Sequence, residues 1–308
     1  MPERRRWASW SVAVLLAVWA VVRLTGFELG WFLTQLMTLT PYGAVLALSA
    51  AALLAFRNRP AALVALGAAV AMLAAVLPRV FAGTAPEGGA SLRVLTLNLF
   101  GRADSAEVVR LIDRHDVDVF TALELTPGQV SALKAAGLER RLPYQVLEAS
   151  EGPTGSGVYA RFPLTRINGL FTVIGHNMPA ARVAAPPGAV EVVAVHPNPP
   201  LPRLYGEWNA SLAALPAARP GVRRILAGDF NAGLDHRAFR DLLGKGYRDA
   251  AAQAGQGLTP TWPSGRAIPP IITIDHILVD ASIGVRGVEV SDVPGTDHRA
   301  VFADLRLG

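Results

Sequence analysis

Residues 1–90 hold three long apolar stretches, about Trp7–Leu24, Trp31–Phe56 and Ala61–Ala82. Each is close to the ~20 residues that carry a helix across a bilayer. The first, behind Arg4, Arg5 and Arg6, also has the form of a cleaved signal peptide. Two further apolar runs argue against that reading. A buried soluble hairpin is the alternative for the second and third, but their Ala/Leu/Val surface has no polar face. Three transmembrane helices are therefore expected over residues 1–82. Arg23 ends the first, where its stem can reach the interface. Trp7, Trp10, Trp31 and Phe32 lie near the ends, where aromatic belts form.

The basic residues orient this bundle. Arg4, Arg5 and Arg6 precede the first stretch, and Arg57 and Arg59 separate the second from the third. Positive loops stay cytoplasmic, so both ends marked by arginine belong inside. Everything after the third span then lies outside a bacterial plasma membrane, as a multi-pass protein with a cytoplasmic N-terminus. Arg79, near the outer end of the third span, is an opposing charge.

Residues 83–90 read as a short, flexible linker rich in Gly and Ala. Eight residues reach at most ~28 Å, and the following domain, residues 91–308, has a radius of gyration of about 17 Å. That domain should stay close to the bilayer. It carries 22 Lys/Arg against 21 Asp/Glu, whereas residues 1–90 carry 7 against 3. The basic excess typical of a protein that grips nucleic acid is missing, which makes nucleic acid a less favoured partner. The chain has no cysteine, which excludes disulfides, thiolate metal sites and thiol nucleophiles.

Within 91–308, strand-like runs fall at 92–98, 117–123, 156–160, 166–174, 190–196, 223–228, 271–279, 284–290 and 300–306. Helices are expected at 104–115 with Asp104 as N-cap, at 127–136 from Pro127, and near 204–216 and 236–243. Many strands with interspersed helices indicate an α/β or α+β domain built on sheets. Asn98, Glu124, His196, Asp229 and Asp275 each stand at or just beyond the end of an apolar run. Strand ends are rigid and accessible platforms for chemistry.

Six segments carry that chemistry: Leu97–Gly101, Ala122–Leu125, Ser156–Leu164, Val195–Pro197, Gly228–Ala232, and the pair Ile274–His276 and Thr296–Arg299. In order and wording they resemble the endonuclease/exonuclease/phosphatase superfamily, over nearly all of 91–308. The resemblance implies a four-layer sandwich of two mixed β-sheets flanked by helices, and a divalent-metal-dependent phosphoesterase, either phosphatase or phosphodiesterase. Phosphate ester hydrolysis needs an attacking water, neutralisation of phosphoryl charge and protonation of the leaving oxygen. Glu124 and Asn98 offer oxygen donors suited to Mg²⁺ or Mn²⁺. The resemblance makes Glu124 the principal metal ligand, with Asn98 beside it and Asp297 assisting.

The resemblance further implies that Asp229 orients or deprotonates water and that the Asn231 amide holds a phosphoryl oxygen. The two residues, one apart, would face the same side of an extended segment. His196 and His298 suit phosphate contact and proton transfer. The family pattern pairs His298 with Asp297 and His196 with Asp275; which imidazole is acid and which base stays open. Arg161 either contacts substrate or braces the turn before Pro163. Each of these residues taken singly also fits a structural role, such as a turn cap for Asp229 or Asp275. His276 is a weaker site candidate. His115, His176 and His236 read as surface residues, and Tyr159, Trp208 and Trp262 as core or cleft wall.

Three functions compete. The tether, the near-neutral domain and the spans favour a phosphorylated, lipid-linked substrate at the outer face of the bilayer. Leu201, Leu204, Tyr205 and Trp208 form either an apolar lip or a helix packed on its own domain. The layout of three spans followed by this domain, with a His-Pro-x-Pro-Pro segment, is similar to membrane-bound teicoplanin-resistance proteins of bacteria. That similarity implies cell-envelope precursor metabolism or glycopeptide resistance, with a polyprenyl (pyro)phosphate as substrate. The alternatives are an extracytoplasmic nuclease and a non-catalytic envelope protein that binds a phosphorylated ligand. No protein partner is evident.

Overall fold

The computed structural model describes residues 2–84 and 88–308; residues 85–87 of the expected linker lie outside them. The chain opens with helices α1 (Pro2–Thr25), α2 (Gly30–Met37), α3 (Thr40–Ala55) and α4 (Arg59–Val76), the last prolonged by a 3-10 turn, Leu77–Val80. Two segments, Arg6–Thr25 and Arg59–Val80, are long and apolar enough to cross a membrane. The middle stretch departs from the expected straight span and bends by 75° between α2 and α3. Pro41 sits in the first turn of α3, where no N–H is needed, but its ring does not allow α2 to run straight on. Thr38 Oγ1 closes the end of α2 on Gln35 O at 2.6 Å.

The helices pack through small side chains, among them Ala13, Ala44, Ala47, Ala65 and Ala69. Such contacts let backbones approach where lipid supplies no hydrophobic drive. Gly43 allows α3 to meet the Trp19 indole, since a Cβ there would lie 2.9 Å from the ring. Leu15, Val18, Leu53, Leu63 and Val70 face outward and are exposed. Such an exposed apolar surface is consistent with membrane association.

The rest of the described chain forms two mixed six-stranded sheets. The first contains β1 (Ala90–Asn98), β2 (Val119–Leu123), β3 (Tyr144–Glu148), β4 (Ser156–Ala160), β11 (Ile283–Asp292) and β12 (Arg299–Leu307), in the order β11-β12-β1-β2-β4-β3. The second contains β5 (Leu164–Ile167), β6 (Ala180–Val183), β7 (Val190–Val195), β8 (Arg223–Asp229), β9 (Tyr247–Asp249) and β10 (Asp275–Asp280), in the order β5-β6-β7-β8-β10-β9. Helices α5 (Ser105–Arg114) and α6 (Pro127–Ala136) cover one outer face, and α7 (Tyr205–Ala214) and α8 (Arg237–Leu243) the other. A short helix, α9 (Ala250–Gln253), follows β9.

Val94, Val119 and Val158 of one sheet meet Val192, Ile225 and Ile277 of the other in the central core. The expected four layers are present. Asp104 caps α5 by accepting from Ala106 N at 2.9 Å and Glu107 N at 3.1 Å. The expected strand 166–174 ends instead at Ile167, because the chain turns at Gly169, whose φ is +66°. Strands β3, β6 and β9 were not expected; β3 and β9 lie at sheet edges, and the four-residue β6 lies between β5 and β7, so pairing with neighbours decides these short segments more than sequence alternation does.

The helical bundle is docked on the sandwich. Arg23 and Arg79, read above as interfacial charges, are both buried and both bind Asp235 in the loop before α8. His236 Nε2 meets Thr34 O of α2 at 3.0 Å, and Tyr42 Oη donates to Ile271 O at 2.8 Å. Gln35 Nε2 donates to Pro200 O at 3.1 Å, and Tyr205 Oη to Glu28 O at 3.2 Å.

Candidate active site

Strand β1 runs parallel to β2, and β7 runs parallel to β8. The carboxyl ends of these four central strands meet on one rim, where α/β folds bind ligands. They bear Asn98, Glu124, His196 and Asp229. Strand β10 is antiparallel to β8 and begins at the same rim with Asp275 paired to Asp229. Strand β12 is antiparallel to β1, so Asp297 and His298, just before it, arrive there too. Seven residues from six sequence segments thus converge.

The geometry is close. Asn98 Nδ2 donates to Glu124 Oε1 at 3.0 Å and to Asp229 Oδ2 at 3.1 Å, joining the two sheets. His196 Nε2 and His298 Nε2 both stand 3.7 Å from Asp229 Oδ2. His298 Nδ1 is 3.0 Å from Asp275 Oδ2. Asn231 N donates to Asp229 Oδ1 at 2.8 Å, and Asn231 Nδ2 to Pro197 O at 3.1 Å. Asp229 and Asn231 do face one cavity, but by a turn and not by strand alternation: Asn231 has φ +48°. Glu124 and Phe100, both at φ +50°, share this uncommon conformation. Three such residues at one rim mark a backbone held away from its preferred basins.

The Gly-Asp-Phe-Asn segment is explained by its surroundings. A Cβ on Gly228 would lie 1.9 Å from Val195 O of the adjoining strand, so only glycine fits. Phe230 is fully buried against Phe239, with ring centroids 5.3 Å apart, and pins the turn.

Two expected pairings are corrected. His298 pairs with Asp275, and its Nε2 lies 3.9 Å from Asp297 Oδ1. Both residues lie in the bend before β12, and the His298 ring turns to Asp275, which the β8–β10 pairing brings beside Asp229. His196 does not reach Asp275, because β8 stands between β7 and β10. Its Nδ1 instead lies 3.2 Å from Nδ1 of His176. His176, expected at the surface, is buried and lines the cavity; no local motif marks it. His236 is also fully buried, and His115 is half-buried, stacked on Phe302 at 4.3 Å.

Arg161 lies elsewhere. Strand β4 runs antiparallel to β2 with Ser156 opposite Leu123 and Ala160 opposite Val119. Glu124 and Arg161 therefore leave opposite ends of the pair, roughly 17 Å apart at strand rise. Arg161 binds Asp116, Val117 O and Asp118, bracing a turn. His276 points away from the rim, with Nδ1 2.8 Å from Asp249 Oδ2 and Nε2 3.0 Å from Ala232 O. Tyr159 and Trp208 are core, and Trp262 is cavity wall.

Electrostatics separate the groups. Burial raises Asp229 to about 7, with Asp275 adding to the rise and His298 opposing it. Burial alone would lower His298, yet the carboxylates of Asp275 and Asp229 raise it to about 10. His196 is held well below its usual value by burial, then by His176 and His298. Burial also raises Glu124. The site therefore pairs a cationic imidazole with a neutral one around a single carboxylate.

A divalent cation fits this donor set. Asp297 Oδ1 is buried and has no hydrogen-bond partner among the described residues, the state of an oxygen kept for a ligand. Glu124 carries a desolvated carboxyl beside it on the same cavity wall. Asp229, Asp275 and His298 also bring one donor each within 4.8 Å of one another. There, His298 Nδ1 is already engaged by Asp275. At the rim Asn98 gives its amide N–H to Glu124 and Asp229, while its Oδ1 accepts from Phe100 N at 3.0 Å. The carboxylates of Glu124 and Asp297 are therefore the cavity-wall oxygens of the kind a hard cation takes, and Asn98, expected as a ligand beside Glu124, is not turned toward one.

Residues 95–298 match the Endonuclease/Exonuclease/phosphatase family, and the chain belongs to it. It is accordingly a phosphoric ester hydrolase, of a family that generally depends on a divalent metal. An endonuclease/exonuclease/phosphatase from Beutenbergia cavernae is similar, with TM-score 0.57, 22% identity, and coverage of 71% of this chain and 72% of that one. TDP2 of D. rerio, complexed with single-strand DNA product, follows with TM-score 0.56, 17% identity, and coverage of 70% and 99%. A 3′ phosphatase, NExo from Neisseria, bound to a product DNA hairpin, has TM-score 0.51, 17% identity, and coverage of 69% and 98%. At these identities the likeness is one of fold. No curated protein matches the chain.

Proposed function

We propose that this protein hydrolyses a phosphate ester or anhydride on a lipid-linked substrate at the outer face of a bacterial plasma membrane. One observation carries the reading: Gln35 of helix α2 in the apolar bundle, and Thr38, which caps that helix, line the same 490 Å³ cavity as Glu124, Asp229 and His298. A catalytic cavity walled by a membrane-associated helix opens where lipid headgroups lie. Leu201 and Leu204 add apolar wall, while α7 packs on its own domain through Trp208 and Leu212.

The orientation follows from charge. Helices α1 and α4 both end at the sandwich, with Arg23 and Arg79 on Asp235. The opposite end of the bundle then carries Arg4, Arg57 and Arg59, which the positive-inside rule assigns to the cytoplasm. Arg79 no longer opposes this assignment, since Asp235 neutralises it. Residues 1–82 act as anchor, 83–90 as linker and 91–308 as catalytic domain.

In this reading Glu124 and Asp297 hold Mg²⁺ or Mn²⁺, which neutralises phosphoryl charge when bound. Asp229 takes the proton of the attacking water; a carboxylate raised toward neutrality is a stronger base than a free one. His298, kept cationic and oriented by Asp275, faces the phosphoryl oxygens. Neutral His196 and the Asn231 amide bind the remaining oxygens. The similarity to teicoplanin-resistance proteins supports a polyprenyl (pyro)phosphate of envelope synthesis as substrate, and a contribution to glycopeptide resistance.

The test is phosphate release from undecaprenyl pyrophosphate by purified protein in detergent with Mg²⁺. Release above an Asp229→Ala control is expected. Plasmid nicking without any lipid phosphate hydrolysis would replace this reading with that of an extracytoplasmic nuclease, the kind of substrate bound in the TDP2 and NExo complexes.

A further inference from the structure

Helix α2 has two working faces. Gln35 and Thr38 line the catalytic cavity. Phe32, Leu33 and Leu36 line a separate groove of about 510 Å³, closed on its other side by Leu15, Val18 and Trp19 of α1. The groove lies among the helices of the apolar bundle, and its volume is in the range of specific ligand sites. An α-helix with its side chains is roughly 10 Å thick. The two spaces are therefore separated by one helix, and at its C-terminal end Met37 lines one while its neighbour Thr38 lines the other.

Each space suits a different half of one molecule. The catalytic cavity presents imidazoles, amides and carboxylate oxygens, a polar lining that suits a phosphate or diphosphate with its cation. The groove presents only hydrocarbon and indole surface. The break between α2 and α3, bent by 75°, forms the edge around which the two halves would join.

We propose that the groove between α1 and α2 is the chain-binding subsite of the enzyme, and that it holds a hydrocarbon chain of a lipid-linked phosphate whose headgroup occupies the catalytic cavity. This rests on the lipid-phosphate reading above and adds to it the place of the chain. Selectivity then comes from the chain as well as from the phosphate: in the bilayer the chain exchanges lipid for helix contacts, so its packing in the groove, and not its removal from water, sets the preference.

The experiment uses the full chain in lipid nanodiscs and a photoreactive isoprenyl diphosphate with a diazirine at the chain end. Labelling is expected on peptides of α1 and α2 that border the groove. Val18→Trp and Leu33→Trp, which fill it from either side, should each lower that labelling severalfold by displacing the chain end from the groove. Leu63→Trp, on the outer face of α4, should leave it unchanged. Two variants guard against misfolding of one.

The same variants are assayed for hydrolysis. The ratio of kcat/KM for the chain-bearing diphosphate to that for a short-chain phosphate ester should fall severalfold in the filled variants. Equal labelling by the corresponding alcohol without phosphate would mean bulk lipid only and would overturn the subsite. An unchanged ratio in both filled variants would overturn it as well, with the phosphoesterase reading intact. Specific labelling with no hydrolysis of any ester would support the subsite and overturn the catalytic reading instead.

Discussion

Arg79 and Asp235 form a buried bidentate ion pair, Nη1 to Oδ2 at 2.7 Å and Nη2 to Oδ1 at 2.6 Å. Arg23 shares the same carboxylate. Although burial works against ionisation, Arg79 and Arg23 hold Asp235 below the usual carboxylate range. One acidic residue of the sandwich thus gathers the C-terminal ends of α1 and α4, and the bundle is seated on the sandwich.

Asp235→Asn should uncouple the two parts. Two guanidinium groups would remain buried without a counter-charge, a loss of about 3–5 kcal/mol. Thermal unfolding in detergent should show a lowered transition or two separate ones. A single unchanged transition would refute the clamp.

His236 predicts an acid-sensitive contact with α2. Burial lowers its value to about 4, against the upward pull of Asp235 and of its hydrogen bonds with the backbone of Thr34 and Gly233. A folded-state value below the unfolded one means stability is complete above about 6.5 and declines as pH falls toward 4. The full loss is about 3 kcal/mol. His236→Gln should flatten melting temperature against pH between those limits; an unaltered slope would count against the assignment.

Metal dependence should track Glu124 and Asp297. Chelation should abolish hydrolysis, and added Mg²⁺ or Mn²⁺ should restore it. Glu124→Gln should raise the Mg²⁺ concentration for half-maximal rate by at least about tenfold, equivalent to ~1.4 kcal/mol of lost binding. If the variant saturates at the parental concentration, the ion sits elsewhere, and Asp229, Asp275 and His298 become the donors to examine.

Asp229→Asn should lower kcat by about 10²–10⁴, the range of general-base contributions. Its amide keeps the shape of the side chain, so KM should change far less. An equal rise in KM would assign Asp229 to substrate binding.

Arg161→Ala is the contrasting case. Its partners Asp116 and Asp118 lie at the far end of the sheet, so kcat should stay within about twofold, while stability falls by about 1 kcal/mol from lost hydrogen bonds. A large loss of kcat would return Arg161 to the site.

Much of the site was legible because catalytic side chains stand where apolar runs stop. Asn98, Glu124, His196, Asp229 and Asp275 all obey that local signal, and Gly228 announces a close backbone approach. Partnerships were not legible in the same way. His298 takes Asp275 over its chain neighbour Asp297 because the β8–β10 register brings Asp275 beside Asp229. His176 joins His196 from an irregular loop with no periodicity to read.

By itself the sequence determined the apolar bundle, the α/β class of the remainder and the chemical types on the rim, because hydropathy, period and strand ends are properties of short segments. Only the tertiary structure decided that α2 breaks from α3, that Arg23 and Arg79 turn inward to Asp235, and that α2 walls the catalytic cavity. Those outcomes depend on which surfaces meet across long separations in the chain. The cost of burying a charge is settled there by a partner that no local window contains.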